Sequence, residues 1–137
     1  MSQELTKHAF DTLYEELRQY KEGFLAESEK PLLLDLLLFY DSMSWFSQSV
    51  ERGEMTQEAL VDSFQFLMDE LLELLYRRDV HPMEPTPDFD RTRQKAVRTV
   101  PAPAPSMNKR VSRVLKRGFT RGDRVLRAEE VELFSSK

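Results

Sequence analysis

Residues 109–134, KRVSRVLKRGFTRGDRVLRAEEVELF, decide which fold this chain adopts. Short runs of β-branched and apolar residues alternate with basic ones, and Gly118 and Gly122 supply turn conformations that other residues resist. A similar run of β-branched, apolar and basic residues lies at 96–100, before a spacer rich in proline and alanine at 101–108. We therefore predict a small β unit over residues 89–137, with strands at 96–100, 111–116, 124–127 and 131–134.

The residues at the start of the chain have the periodicity of a helix. Apolar residues recur at spacings of three and four, the rhythm of a contact between two helices: Phe10, Leu13, Leu17, Tyr20 and Phe24. This seam favours a helix over about residues 4–50 that pairs with a second copy; packing within one chain is the alternative. Pro31 would either kink this helix or start a new one capped by Ser28, since proline is tolerated in a first turn.

Wide apolar stripes follow on two helical segments. The first stripe contains Leu34, Leu37, Leu38 and Trp45. A second helix over about residues 56–78, capped by Thr56, carries Leu60, Phe64, Leu67, Leu71 and Leu74. Such surfaces need cover on several sides, which a four-helix bundle of two chains would provide. A monomeric hairpin with one face exposed is the alternative, and it would be prone to association.

These patterns together predict an α+β protein. It would contain an N-terminal paired long helix, a two-helix contribution to a dimeric four-helix bundle, and a small C-terminal all-β domain. The expected boundaries are a helical dimerisation region over residues 1–80, a Pro-rich linker over 81–88 and the β domain over 89–137. Three prolines within residues 82–87 exclude helix and central strand from the linker.

The charge of the chain changes from acidic to basic near residue 90, where the β domain is predicted to begin. Residues 1–90 hold 7 Lys and Arg against 20 Asp and Glu, whereas residues 91–127 hold 12 against 1. The basic unit predicts an anionic partner, either an acidic protein surface or nucleic acid phosphates. Nucleic acid is disfavoured because the basic stretch has only Phe89 and Phe119 as aromatic platforms for stacking.

No pattern typical of catalysis or of a cofactor site is present. The chain has no cysteine, and its four glycines form no phosphate-binding loop. His8 and His81 lack partners at metal-ligand spacing, and the carboxylates at 69, 70 and 73 lie on a solvated helix face. We predict a protein that is not an enzyme, with no catalytic residue, cofactor or metal.

No apolar run reaches the roughly 20 residues of a membrane span, and no secretory signal opens the sequence, so we expect a cytoplasmic protein.

The C-terminal third resembles GrpE, the nucleotide exchange factor of DnaK-type chaperones. That family opens its β domain with Phe-Asp-Pro-Asn-x-His-Glu-Ala-Val. The chain keeps the ends of this motif, Phe89-Asp90 and Ala96-Val97, but has Arg91, Gln94 and Lys95 where the family has proline, histidine and glutamate. The closing motif is matched in order and spacing by Val111, Val114, Gly118-Phe119, Arg124, Arg127-Ala128 and Val131.

The resemblance extends over residues 32–133, since Leu36-Leu37 and Asp41 are similar to the family's Leu-Leu-Pro-x-x-Asp helix. It implies a homodimeric co-chaperone of protein folding and the stress response that binds the nucleotide-binding domain of a DnaK-type chaperone through its β domain and promotes ADP release. Arg124, Leu133 and Arg91 stand at positions of partner contact in that family. Phe119 and Arg127 match it too, either as contacts or as braces of the fold. The alternative is a dimeric adaptor or nucleic-acid-binding protein on the same scaffold.

Overall fold

The computed structural model describes residues 2–136. They form two helices followed by six strands and one short 3-10 helix, which confirms the α+β class. The helices are α1 (Ser2–Glu51) and α2 (Gln57–Tyr76). The strands are β1 (Val80–Pro82), β2 (Gln94–Pro101), β3 (Val111–Lys116), β4 (Phe119–Arg121), β5 (Arg124–Arg127) and β6 (Glu129–Ser135), with the 3-10 helix at Pro105–Met107.

The first helix is continuous through its proline. Pro31 lies inside α1, and Ser28 Oγ donates to the carbonyl oxygen of Leu25 at 2.9 Å rather than capping a new helix. The alternative of a fresh start at Ser28 is therefore wrong. Proline removes one backbone donor, and a helix of 50 residues tolerates that loss where its neighbouring turns stay intact. Thr56 does cap α2, because its Oγ1 accepts from the backbone N–H of Ala59 at 3.1 Å.

The chain divides into two compact units, Met1–Leu67 and Met68–Lys137. In the first unit, α1 and α2 together line an apolar cleft of about 540 Å³ beside Trp45, Phe46 and Phe66. Few apolar side chains of this unit are buried against other residues of the same chain. Most apolar side chains of both helices therefore remain exposed.

The second unit contains two three-stranded sheets. One has the order β1-β4-β5, and the other has β2-β6-β3, in which β6 runs parallel to β2 and antiparallel to β3. Val131 at the centre of β6 is fully buried and anchors the core of this unit. The sheets approach each other closely at Gly118, where an added Cβ would lie 2.7 Å from the backbone nitrogen of Glu129. No side chain fits there without displacing the backbone.

The strand predictions are confirmed in position for β2, β3, β5 and β6, although β2 and β6 extend beyond the predicted ends. The sequence predicted neither β1 nor β4. Residues 81 and 82, assigned to the linker, pair instead with Thr120 and Phe119 of β4. Pro82 is compatible with a strand here because β1 lies at the sheet edge, where a missing N–H breaks no ladder bond.

Candidate partner-binding surface

Arg124 lies at the tip of a hairpin. It is the first residue of β5, directly after Gly122 and Asp123, and Gly122 takes the positive φ of 57° that the turn between β4 and β5 requires. The Arg124 side chain is exposed and makes no hydrogen bond or ion pair with any residue of the described chain. This leaves its five N–H donors available to a partner.

Arg127, at the other end of β5, is bound within the domain. Its Nε and Nη2 donate to the carbonyl oxygen of Arg117 at 3.1 and 2.7 Å. Its guanidinium carbon lies 5.3 Å from the centroid of the Phe119 ring, a cation–π distance. The strand register places Phe119 opposite Arg127. Of the two roles that the sequence left open for this pair, the geometry favours bracing the fold.

Arg91 is presented by a tight turn before β2. Asp90 Oδ1 accepts from the Thr92 backbone N–H at 2.9 Å and from the Thr92 hydroxyl at 2.6 Å. The hydroxyl bond lowers the pKa of the Asp90 carboxyl, so the group is ionised near neutral pH. The Asp90 carbonyl oxygen also accepts from Gln94 N at 2.8 Å. These bonds hold the turn and leave Arg91 exposed at its tip.

Leu133 is half-buried on β6, opposite Thr99 of β2 and Val111 of β3. Of the five residues predicted for partner contact, the structure brings only Phe119 and Arg127 into direct contact. The five are distributed over both sheets and one turn. The candidate surface is therefore a property of the whole β unit rather than of one strand.

The β unit also contains two buried carboxylates that sequence reasoning missed. Glu129 is 2% exposed, and its Oε1 accepts from Gln94 Nε2 at 2.8 Å. Glu132 is 5% exposed and accepts from Arg98 Nε at 2.6 Å and Ser112 Oγ at 3.0 Å. The only sequence signal was three glutamates within a strand of apolar residues. Alternation on an exposed strand would have placed at least some of them in water.

The Arg98 guanidinium that bonds Glu132 lowers the pKa of its carboxyl below the ordinary value of 4.5, and Ser112 and Arg113 act in the same direction. The carboxylate therefore stabilises the fold above the unfolded pKa, and this contribution disappears as the pH falls through the folded pKa.

We expect the difference in unfolding temperature between the protein and its Glu132→Gln variant to shrink from about pH 7 to about pH 3. Thermal unfolding followed by circular dichroism measures it. A difference that stays constant over this range would contradict the assignment, and Glu54→Gln, in an exposed connection, is the control.

The residues predicted for dimerisation differ in exposure. Those of the N-terminal seam are 55–75% exposed, and those of the next stripe on α1 are 51–62% exposed. On α2, Phe64 is 57% exposed, whereas Leu67 and Leu74 are buried by their own chain at 8% and 7%. Leu67 and Leu74 therefore contribute to packing within the chain. Leu60 is half-buried and Leu71 is 37% exposed, and the remaining residues form an apolar surface without cover in the single chain.

Two further features bear on function. Neither helix within residues 2–136 is both long and apolar enough to cross a membrane. The same residues hold no group of three or more histidine, aspartate or glutamate side chains that could bind a metal ion.

Comparison with protein families finds a match that spans nearly the whole chain. The GrpE family model matches residues 2–134, which include both helices and nearly all of the β unit. A comparison with curated proteins found no match.

Proposed function

Because the chain belongs to the GrpE family of co-chaperones, we propose that it is a nucleotide exchange factor that promotes ADP release from a DnaK-type chaperone. The observation that carries the proposal is the family match over residues 2–134. It includes the helical part and the β part together, in the order that the fold shows. A match confined to one part would have supported a shared scaffold only.

The physical requirement for exchange is differential affinity. If the β unit binds the open, nucleotide-free form of the chaperone more tightly than the closed form, it shifts the population toward the open form. By linkage, the factor by which it lowers nucleotide affinity equals the factor by which bound nucleotide lowers its own affinity for the chaperone. No covalent bond forms or breaks in this process.

The β unit has the charge for such a contact. Arg124 and Arg91 are both exposed at the tips of turns, where a partner can reach them without rearrangement of the strands. Together with Leu133 they form the proposed contact set, and the surrounding excess of positive charge would steer the encounter with an acidic chaperone surface. We assign Phe119 and Arg127 to the support of this surface.

The helical part is proposed to form a homodimer. Apolar side chains more than half exposed extend from Phe10 to Phe64, and a soluble monomer rarely leaves so large an apolar surface in water. The cleft beside Trp45 and Phe66 lies on the same unit and would be filled by the second copy. A four-helix bundle from two chains would bury both stripes.

Release of a fluorescent ADP analogue from the DnaK-type chaperone of the same organism, followed by stopped flow, tests the function. We expect a large acceleration that saturates with the concentration of this protein. An unchanged release rate, with the protein shown to be folded and dimeric, would leave a GrpE-like scaffold with another partner.

Replacing Arg124 with alanine is expected to weaken exchange while leaving the dimer intact. A central arginine contact contributes on the order of 1–2 kcal/mol, so the concentration for half-maximal exchange should rise about tenfold. The release assay at limiting concentration measures this, with light scattering to confirm the dimer. Arg52→Ala, in the connection between the helices, is the matched control. Equal activity of both variants would remove Arg124 from the contact set.

A further inference from the structure

One face of the β2-β6-β3 sheet carries two rows of alternating charge. β6 is regular, so Glu130 and Glu132, two residues apart, lie on the same face. The register shifts fall in the neighbouring strands instead. Glu130 is opposite Lys95 and Lys116, and Glu132 is opposite Arg98 and Arg113. We call these six residues the charged face: Lys95, Arg98, Arg113, Lys116, Glu130 and Glu132.

The Glu132 carboxylate joins the two arginines of its row. Arg98 Nε lies 2.6 Å from Oε2, and Arg113 Nε lies 3.6 Å from Oε1. The register shift in β3 brings Ser112 to the same carboxylate, where its hydroxyl donates to Oε1 at 3.0 Å. Bulges commonly redirect a side chain in this way. One buried carboxylate thus holds two guanidiniums in place from opposite sides.

The cations of the charged face remain open to solvent. The side chains of Arg98 and Arg113 are 51% and 61% exposed, and that of Lys116, 3.6 Å from Glu130 Oε2, is 56% exposed. Both arginines direct Nε toward Glu132, and their terminal nitrogens make no hydrogen bond with another residue of the described chain. Each arginine therefore keeps donors that can bind a further carboxylate.

The pattern of charge selects the kind of ligand. Four cations and two carboxylates give the face a net charge of only +2, with the signs alternating across the sheet. Nucleic acid favours a continuous positive field, whereas here a glutamate separates the two cations of each row, so an anionic ligand must place its charges over the cations and away from the glutamates. A ligand with carboxylates at regular spacing fits the charged face better than nucleic acid does. The rows lie about 6.7 Å apart along β6, which is also the spacing of alternate side chains in an extended peptide.

We propose that the charged face docks an extended acidic polypeptide segment, with carboxylates at alternate positions, and that Glu132 is the positioning residue for Arg98 and Arg113. This surface goes beyond the proposed exchange function. It uses none of the residues assigned to the chaperone contact, and Leu133, by alternation along β6, lies on the opposite face from Glu132. The partner would be a protein with an acidic segment, distinct from the contact that opens the nucleotide cleft.

The probe is a fluorescein-labelled peptide of alternating glutamate and serine, titrated with the full-length protein and followed by fluorescence anisotropy. A peptide of equal composition with its glutamates contiguous, and a short duplex DNA, are the comparison ligands. We expect the alternating peptide to bind best. Absence of binding, or tighter binding of the duplex DNA, would overturn the proposal.

Arg98→Gln with Arg113→Gln should weaken peptide binding about tenfold or more, as loss of charge-assisted contacts predicts. Arg121→Gln, which removes an exposed arginine from β4 in the other sheet, is the matched control and should have little effect. An equal loss in the control would show attraction by total charge only and overturn the site. If the double variant does not fold by circular dichroism, Lys95→Gln with Lys116→Gln replaces it, with the same expectation.

The Glu132→Gln variant distinguishes a positioning role of Glu132 from simple attraction by the net charge of the face. The substitution raises the net charge of the face by one, so simple attraction predicts tighter binding of the acidic peptide. Positioning predicts weaker binding, because a neutral amide no longer holds the two guanidiniums. We expect a several-fold loss of affinity. Equal or tighter binding would overturn the role assigned to Glu132.

Discussion

Replacing Leu37 with aspartate is expected to convert the protein from a dimer into a monomer at micromolar concentration. Leu37 is 58% exposed in the single chain, so the substitution removes little packing within the chain itself. In the proposed bundle the same position is buried against the second copy, where an unpaired carboxylate costs several kcal/mol. Because the interface is symmetric, each dimer contains the change twice, and the dissociation constant should rise by on the order of a hundredfold or more.

Light scattering measures this result directly. The unchanged protein should give about twice the chain mass of 16.1 kDa, and the Leu37→Asp variant should approach that single-chain mass. Ser47→Asp is the matched control, since it places the same charge on an exposed polar position of α1. A dimeric Leu37→Asp variant would place the interface elsewhere on the helices, and a monomeric unchanged protein would contradict the dimer itself.

Strong local patterns made much of the fold predictable from sequence. The bounds of β3 and β5 were predicted to the residue, because the glycine turns at 117–118 and 121–123 separate these strands from their neighbours. Both helices followed from apolar periodicity, and the Thr56 cap from its position. These features depend on residues close together in the chain, which is the information that a single sequence contains.

Features that depend on distant partners were not predictable. β1 has three residues and becomes a strand only by pairing with β4, which lies 37 to 41 positions away in the chain. Likewise, Glu129 is buried because Gln94 and Gly118 come to it from other strands and turns. The same limit applies to the candidate site. The arginine at 127 could be identified as important, but its contact with the Phe119 ring required the structure.

Replacing Glu129 with alanine is expected to destabilise the β unit strongly. Its carboxylate accepts from Gln94 Nε2 at 2.8 Å and lies 3.4 Å from the backbone nitrogen of Gly118, so it joins β2 to the segment before β4. Alanine would leave both donors buried without this acceptor. Each such loss costs about 1–3 kcal/mol, and together they predict a loss of roughly 2–6 kcal/mol in the free energy of unfolding.

A loss of this size should lower the unfolding temperature of the β unit by on the order of 10 °C or more, since about 1 kcal/mol shifts a domain of 60–100 residues by roughly 4–8 °C. Hydrogen exchange of the strand amides with rising temperature reports on this unit separately from the helices. Glu130→Ala is the matched control on the next residue. Its side chain is 36% exposed, and its only ion pair among the described residues is with Lys116 Nζ at 3.6 Å, so its loss should stay below about 1 kcal/mol. Equal effects of the two substitutions would show that Glu129 acts as an ordinary surface charge, and the stability of the unit would then depend on the apolar packing of Val131, Met83 and Val80.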